Sequence, residues 1–115
     1  MNFDLEFPTP LSEIEDIFND NIDVFVKLNN GLMLTLVVTT PLNYLWYMDK
    51  EGTDFIEASP PDIIVRKLTY ETIRCAIETF VVDDAYWLKY YFLAGRREIF
   101  DPAAIDTQIP RISDI

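Results

Sequence analysis

The chain has 115 residues and a net charge of −11, from 20 acids against 9 bases, with 50% hydrophobic and 14% aromatic residues. By length it is one domain, 1–115, with enough apolar material to bury a core instead of staying disordered. The charge argues against nucleic acid or an anionic membrane as a direct ligand, because both call for a cationic footprint.

Residues 1–10 read as an extended arm. Phe3, Leu5 and Phe7 alternate with Asp4 and Glu6, a period of two that predicts a short strand packed on one face. Pro8 and Pro10 end it and confine it to a sheet edge. Ser12 and Glu15 form a capping-box pair, which predicts a short helix from Glu13 to Asn19 with Ile14, Ile17 and Phe18 on one face.

A hairpin follows over residues 22–40. Val24, Val26 and Leu28 alternate against Phe25 and Lys27, and Asn29-Asn30-Gly31 supplies the positive φ of a tight turn. The second arm, LMLTLVVTT, is apolar on both faces for much of its length, which predicts an interior strand covered by helices on at least one side. Thr40-Pro41 is a cap followed by proline at the first helical position. Leu42, Leu45, Trp46 and Met48/Asp49 then recur at helical spacing until Gly52, a C-terminal stop, although the strand preference of Tyr and Trp offers Tyr44–Met48 as a competing strand. A short strand is expected around Phe55 and Ile56, a rigid break at Ser59-Pro60-Pro61, and a β-branched strand at Ile63-Ile64-Val65.

Two helices close the domain. Thr69 caps the first, with Leu68 stapled onto Ile73 across the cap, and Ile73, Ala76, Ile77, Phe80 and Val81 make its apolar stripe. Asp83 or Asp84 is expected to cap the second. There Trp87, Leu88, Tyr91 and Phe92 share one face, Tyr86 and Tyr90 fall toward the flank, and Gly95 ends the helix. Residues 96–115 show little periodicity and read as an irregular C-terminal tail. The expected fold is α+β: a small, mostly antiparallel sheet with a central hairpin and helices packed on one face.

The chain has no histidine and one cysteine, Cys75. No Ser-His or Cys-His pair and no ordinary zinc site can be built from that set, and no intramolecular disulfide is possible. The isolated glycines make no phosphate-binding loop. No catalytic, cofactor-binding or metal-binding residue is therefore nominated, and no small-molecule substrate is expected. Cys75 lies opposite the apolar stripe of its helix, and nothing near it in sequence supplies a general base. The opening MNFDLEFPTP lacks the basic start of a signal peptide, and no apolar run approaches the ~20 residues of a membrane-spanning helix. A cytoplasmic location is expected.

The acids are unevenly placed. Residues 1–23 carry Asp4, Glu6, Glu13, Glu15, Asp16, Asp20 and Asp23 with no base. Residues 49–62 carry Asp49, Glu51, Asp54, Glu57 and Asp62 against Lys50 alone. Side by side, the two segments would make one anionic surface suited to a basic protein; apart, they would serve solubility. The candidate partner-binding residues are Glu13, Asp16, Asp20, Asp49, Glu51, Asp54 and Glu57, with Tyr86 and Tyr90 as exposed aromatic anchors.

The segments DVFVKLNNGLMLTLVVTTPLNYLWYMDKEG and PPDIIVRKLTYETIRCAIETFVVDDAYWLKYY together span residues 23–91. In their order of hairpin, short helix, proline-rich break and aromatic helix pair, they resemble a small bacterial immunity protein of a contact-dependent growth inhibition or polymorphic toxin system. The resemblance implies a cytoplasmic protein that binds a cognate toxin and blocks it, and a basic nuclease toxin would suit the charge. It transfers no binding residue position by position. A DNA-mimic or phage-type regulator that occupies a nucleic-acid-binding protein is the alternative, and it would need carboxylates spaced like phosphates. An enzyme using carboxylates alone would need a concave pocket of convergent acids with raised pKa values.

Overall fold

The period-two alternation of residues 21–39 builds the centre of the molecule. In the computed structural model, which describes residues 2–56 and 62–94, β1 (Phe3–Glu6), β2 (Asn21–Leu28), β3 (Met33–Thr39) and β4 (Ile63–Ile64) form one sheet in the order β1-β2-β3-β4. The first two pairings are antiparallel and β3–β4 is parallel. Glu57, the Ser59-Pro60-Pro61 break, Gly95 and the 96–115 tail lie outside the described residues.

The fold is α+β, and β3 is interior to the sheet as its composition implies. The hairpin closes through Leu28, whose N–H donates to the Leu32 carbonyl at 2.8 Å. Gly31 alone carries the positive φ, at 91°, while the Asn30 side chain accepts from the Leu32 N–H at 3.1 Å. This is a three-residue loop ending on a left-handed glycine, one of the common hairpin connections. The arm strand β1 pairs with β2 at the edge, with Phe3 opposite Leu28 and Leu5 opposite Val26.

Phe3, Val24, Val26, Leu28, Leu34, Leu36 and Val38 point to one face and are buried. The helices α2 (Tyr70–Phe80) and α3 (Val82–Ala94) supply Ile73, Ile77, Ala85 and Leu88 to the same core. Thr69 caps α2, its hydroxyl accepting from the Thr72 N–H at 3.3 Å. Leu68 and Ile73 are both buried across that cap, as a hydrophobic staple requires. Of the α2 stripe, Ile73, Ile77 and Val81 are buried, whereas Ala76 and Phe80 are half-buried. Cys75 is exposed.

Three expectations are corrected. The capping box at Ser12 and Glu15 does not start a helix over 13–19: Leu11–Glu13 forms a single 3-10 turn with no side-chain cap. The short acids beyond it accept from nearby backbone instead, Asp16 from the Phe18 N–H at 2.9 Å and Asp20 from the Asn21 N–H at 2.7 Å, which competes with helix formation. Phe55 and Ile56 form no strand. The chain turns there, the Thr53 hydroxyl donating to the Phe55 carbonyl at 2.8 Å. Neither Asp83 nor Asp84 caps α3 in the usual way. Asp83, Asp84 and Ala85 take left-handed backbone angles, with φ of 54°, 59° and 57°, and Asp84 pairs with Lys89 at 2.9 Å. A left-handed run costs about 1–2 kcal/mol per residue, and the buried Ala85 and Leu88 set the phase of the helix that follows. Trp87 consequently turns outward beside Tyr86 and Tyr90.

Truncating the core should show where stability resides. Ile77→Ala removes a fully buried side chain and is expected to cost about 2–5 kcal/mol in urea denaturation. A loss below about 1 kcal/mol would place α2 outside the core.

Candidate functional site

The helix α1 (Pro41–Glu51) forms where its sequence signals place it. The Thr40 hydroxyl accepts from the Asn43 N–H at 3.3 Å, Pro41 opens the first turn, and Gly52 ends the helix at φ 70°. What the periodicity does not reveal is which side of α1 faces the protein. Its one buried residue is Asn43, 7% exposed. The Asn43 Oδ1 accepts from Asn21 Nδ2 at 2.9 Å and from the Thr39 hydroxyl at 3.5 Å, and its Nδ2 donates to Asn19 Oδ1 at 3.1 Å. Centred about a third of a turn round the helix from Asn43, Leu42, Leu45 and Trp46 are 51%, 53% and 46% exposed. Together with Asp49 they form an i, i+3, i+4, i+7 stripe, the pattern of a core-facing helix, turned to the outside.

Also on the inward side, at the next residue, the Tyr44 hydroxyl donates to Asp62 Oδ2 at 2.8 Å, tying α1 to the segment just before β4. Burial, and then the hydrogen bond and charge of Asp62, push the Tyr44 hydroxyl above the ordinary phenol range. Burial also raises the Asp62 carboxyl, and the bond from Tyr44 offsets part of that rise.

The loop of residues 13–20 packs beside α1. A hollow of about 420 Å³ lies between them, lined by Glu13, Glu15, Asp16, Asp20, Trp46 and Tyr47 among others, with no base in its wall. None of those four acids is ion-paired among the described residues. Lys27 and Lys50 are the only bases before Arg66. Lys27 is taken by Glu6 at 3.2 Å, and Lys50 lies over the rings of Trp46 and Tyr47, 5.0 and 5.9 Å from their centroids.

The chain matches no family model, no curated protein and no solved structure. The arrangement therefore rests on its own geometry.

Of the nominated residues, Glu13, Asp16 and Asp20 come together at the hollow. Asp49 and Glu51 stand exposed on the last turns of α1, and Asp54 is exposed just beyond Gly52. The first acidic segment is thus brought against the helix that carries the start of the second. Tyr86 and Tyr90 lie elsewhere, on α3, edge-on to Trp87 at centroid distances of 5.3 and 6.1 Å. The residues that sequence reasoning missed are Asn43, Glu15 and the outward trio of Leu42, Leu45 and Trp46. The available signal was Asn43 itself: an amide outside the apolar stripe has a reason to be buried only if the side that carries it is the anchored one. Among the described residues no cluster of three or more His, Cys, Asp or Glu is placed to hold a metal ion.

The Tyr44–Asp62 bond gives a pH-dependent test. Because the folded-state value of Asp62 lies above the unfolded one, its contribution to stability is fully present below the ordinary carboxylate range. It is lost as pH rises through the folded value. Tyr44→Phe leaves the ionised carboxylate without its donor. With Asp62 only partly buried, the expected cost is about 1–2 kcal/mol at pH 7, falling near pH 3 where the carboxyl is protonated. Urea denaturation at both pH values checks this, and an equal cost at both would contradict it.

Proposed function

We propose that this chain is an inhibitory binding protein of the immunity-protein kind, which neutralises a basic toxin domain, a nuclease being the class of best fit, by covering its active site. The observation that carries this reading is the hollow beside α1: carboxylates with no base in the wall, next to an apolar helix face turned outward. A cationic cleft that binds phosphate backbone is the natural complement of such a surface, and the −11 charge of the whole chain adds a long-range field of the same sign. The resemblance of residues 23–91 to immunity proteins supports the same partner class. The reading places the protein in the cytoplasm, where such a toxin would act.

An exposed ion pair contributes little alone, about 0–1 kcal/mol. An array of acids facing a basic cleft acts chiefly on the encounter rate, and that effect fades as salt shortens the screening length to about 8 Å near 0.15 M. The experiment uses a basic nuclease toxin domain, with the product of the adjoining gene as the first candidate to be tried. Stoichiometric addition of the chain should abolish its nuclease activity. In stopped-flow binding, reversing Glu13, Asp16 and Asp20 to Lys together should slow association on the order of tenfold or more, with dissociation changed far less. An association rate indifferent both to salt and to these reversals would show that the acids serve solubility alone.

A further inference from the structure

Resting on that reading, we propose that the outward face of α1 is the docking surface for a cationic amphipathic segment of the partner protein, and that the Trp46–Tyr47 pair is the slot for one of its arginine side chains, held in the free chain by Lys50. Three features on one helix point to this occupant. Leu42, Leu45 and Trp46 are about half exposed at i, i+3 and i+4, the spacing at which a helix face meets an apolar ridge. The rings of Trp46 and Tyr47 stand nearly perpendicular, at 82° with centroids 4.9 Å apart, and both line the acidic hollow. Lys50, one turn along from Trp46, already places its ammonium over both rings.

The rings therefore hold a cation with carboxylates close by, and the resident cation sits on a flexible, exposed stem. A guanidinium is planar, more weakly hydrated than an ammonium and stacks better on an aromatic face, so an incoming arginine can displace the lysine. An acidic partner would be repelled by Glu13, Glu15, Asp16 and Asp20. A wholly apolar one would leave those carboxylates desolvated without a partner. The other exposed aromatic group, Tyr86, Trp87 and Tyr90, lies on a helix whose Asp84 is paired with Lys89, so a base stands among the acids there, as none does in the wall of the hollow.

The probe is a short synthetic peptide of arginine and leucine with an amphipathic helical pattern, titrated into the full-length ¹⁵N-labelled chain. Its lysine-for-arginine and glutamate-for-arginine counterparts are the controls. Amide shifts are expected to gather on residues 13–20 and 42–50, with the arginine peptide binding tightest and the glutamate peptide not binding. Leu45→Asp, a change at an exposed position, should weaken binding at least about tenfold. Lys50→Met should strengthen it severalfold, and Lys27→Met, which removes the same charge elsewhere, should not. The gain from Lys50→Met cannot arise from unfolding. Shifts centred on α3, binding of the glutamate peptide equal to that of the arginine one, or equal effects of Lys50→Met and Lys27→Met would each overturn the proposal. If the toxin domain is inhibited equally by the wild-type chain and by Leu45→Asp, the surface is wrong and the toxin reading stands. If the toxin domain is not inhibited while the peptide maps to α1, the toxin reading falls and the surface stands.

Discussion

The hydrogen bonds of Asn43 decide how this molecule presents itself. An amide removed from water is costly unless its donors and acceptors are met. Asn43 meets them with Asn19, Asn21 and Thr39, at the end of the sheet where β2 begins and β3 ends. Thr40 caps the helix in the same place. Once those bonds are made, the rotation of α1 about its axis is fixed, with Asn43, Tyr44, Tyr47 and Met48 toward the protein and Leu42, Leu45, Trp46 and Asp49 toward solvent. Every buried side-chain polar atom among the described residues has a partner, so the polar anchor leaves no unmet group behind.

The core does without α1 because α2 and α3 fill that role. Ile73, Ile77, Ala85 and Leu88 cover the apolar face of the sheet, and α1 adds no hydrophobic residue to that cluster. Its own apolar residues are free to serve a second surface. Burying what remains exposed of Leu42, Leu45 and Trp46 is worth about 1 kcal/mol each on area alone. That is a modest sum against the cost of association, so specificity and rate must come from the acids around it. A small apolar centre rimmed by charge of one sign is the usual division of labour at a protein interface.

Much of this was legible in the residues. The Asn30-Gly31 turn, the interior placement of β3, the Thr40-Pro41 start and Gly52 stop of α1, and the Thr69 cap with its Leu68–Ile73 staple all follow from local chemistry, and the structure bears them out. The failures have physical causes. Period alone says that Leu42, Leu45 and Trp46 share a face, and it cannot say whether that face points in or out; the tertiary partners of Asn43 decide. The 13–19 segment carries a helix-start signal, but Asp16 and Asp20 each bond a nearby backbone amide and hold it in turns. A regular helix start puts Trp87 on the face it shares with Leu88, Tyr91 and Phe92. The left-handed angles of Asp83, Asp84 and Ala85 set a different phase, and Leu88 is buried while Trp87 is not. The Tyr44–Asp62 bond joins residues 18 apart in sequence and has no local signature. Of the candidate site, the acidic character was readable from composition; the helix face at its centre was not.

The central claim is that α1 holds its apolar stripe outward in the free protein, and the fluorescence of Trp46 tests it most directly. In a Trp87→Phe background Trp46 is the sole indole. Acrylamide quenching of the folded chain should approach that of the urea-unfolded chain, with emission red-shifted as for an indole in water. Adding Asn43→Leu should remove the polar anchor and reduce the quenching as the helix turns its stripe inward. A blue-shifted, poorly quenched Trp46 in the parent protein would mean that the stripe is covered in the free chain, and the docking surface would not exist.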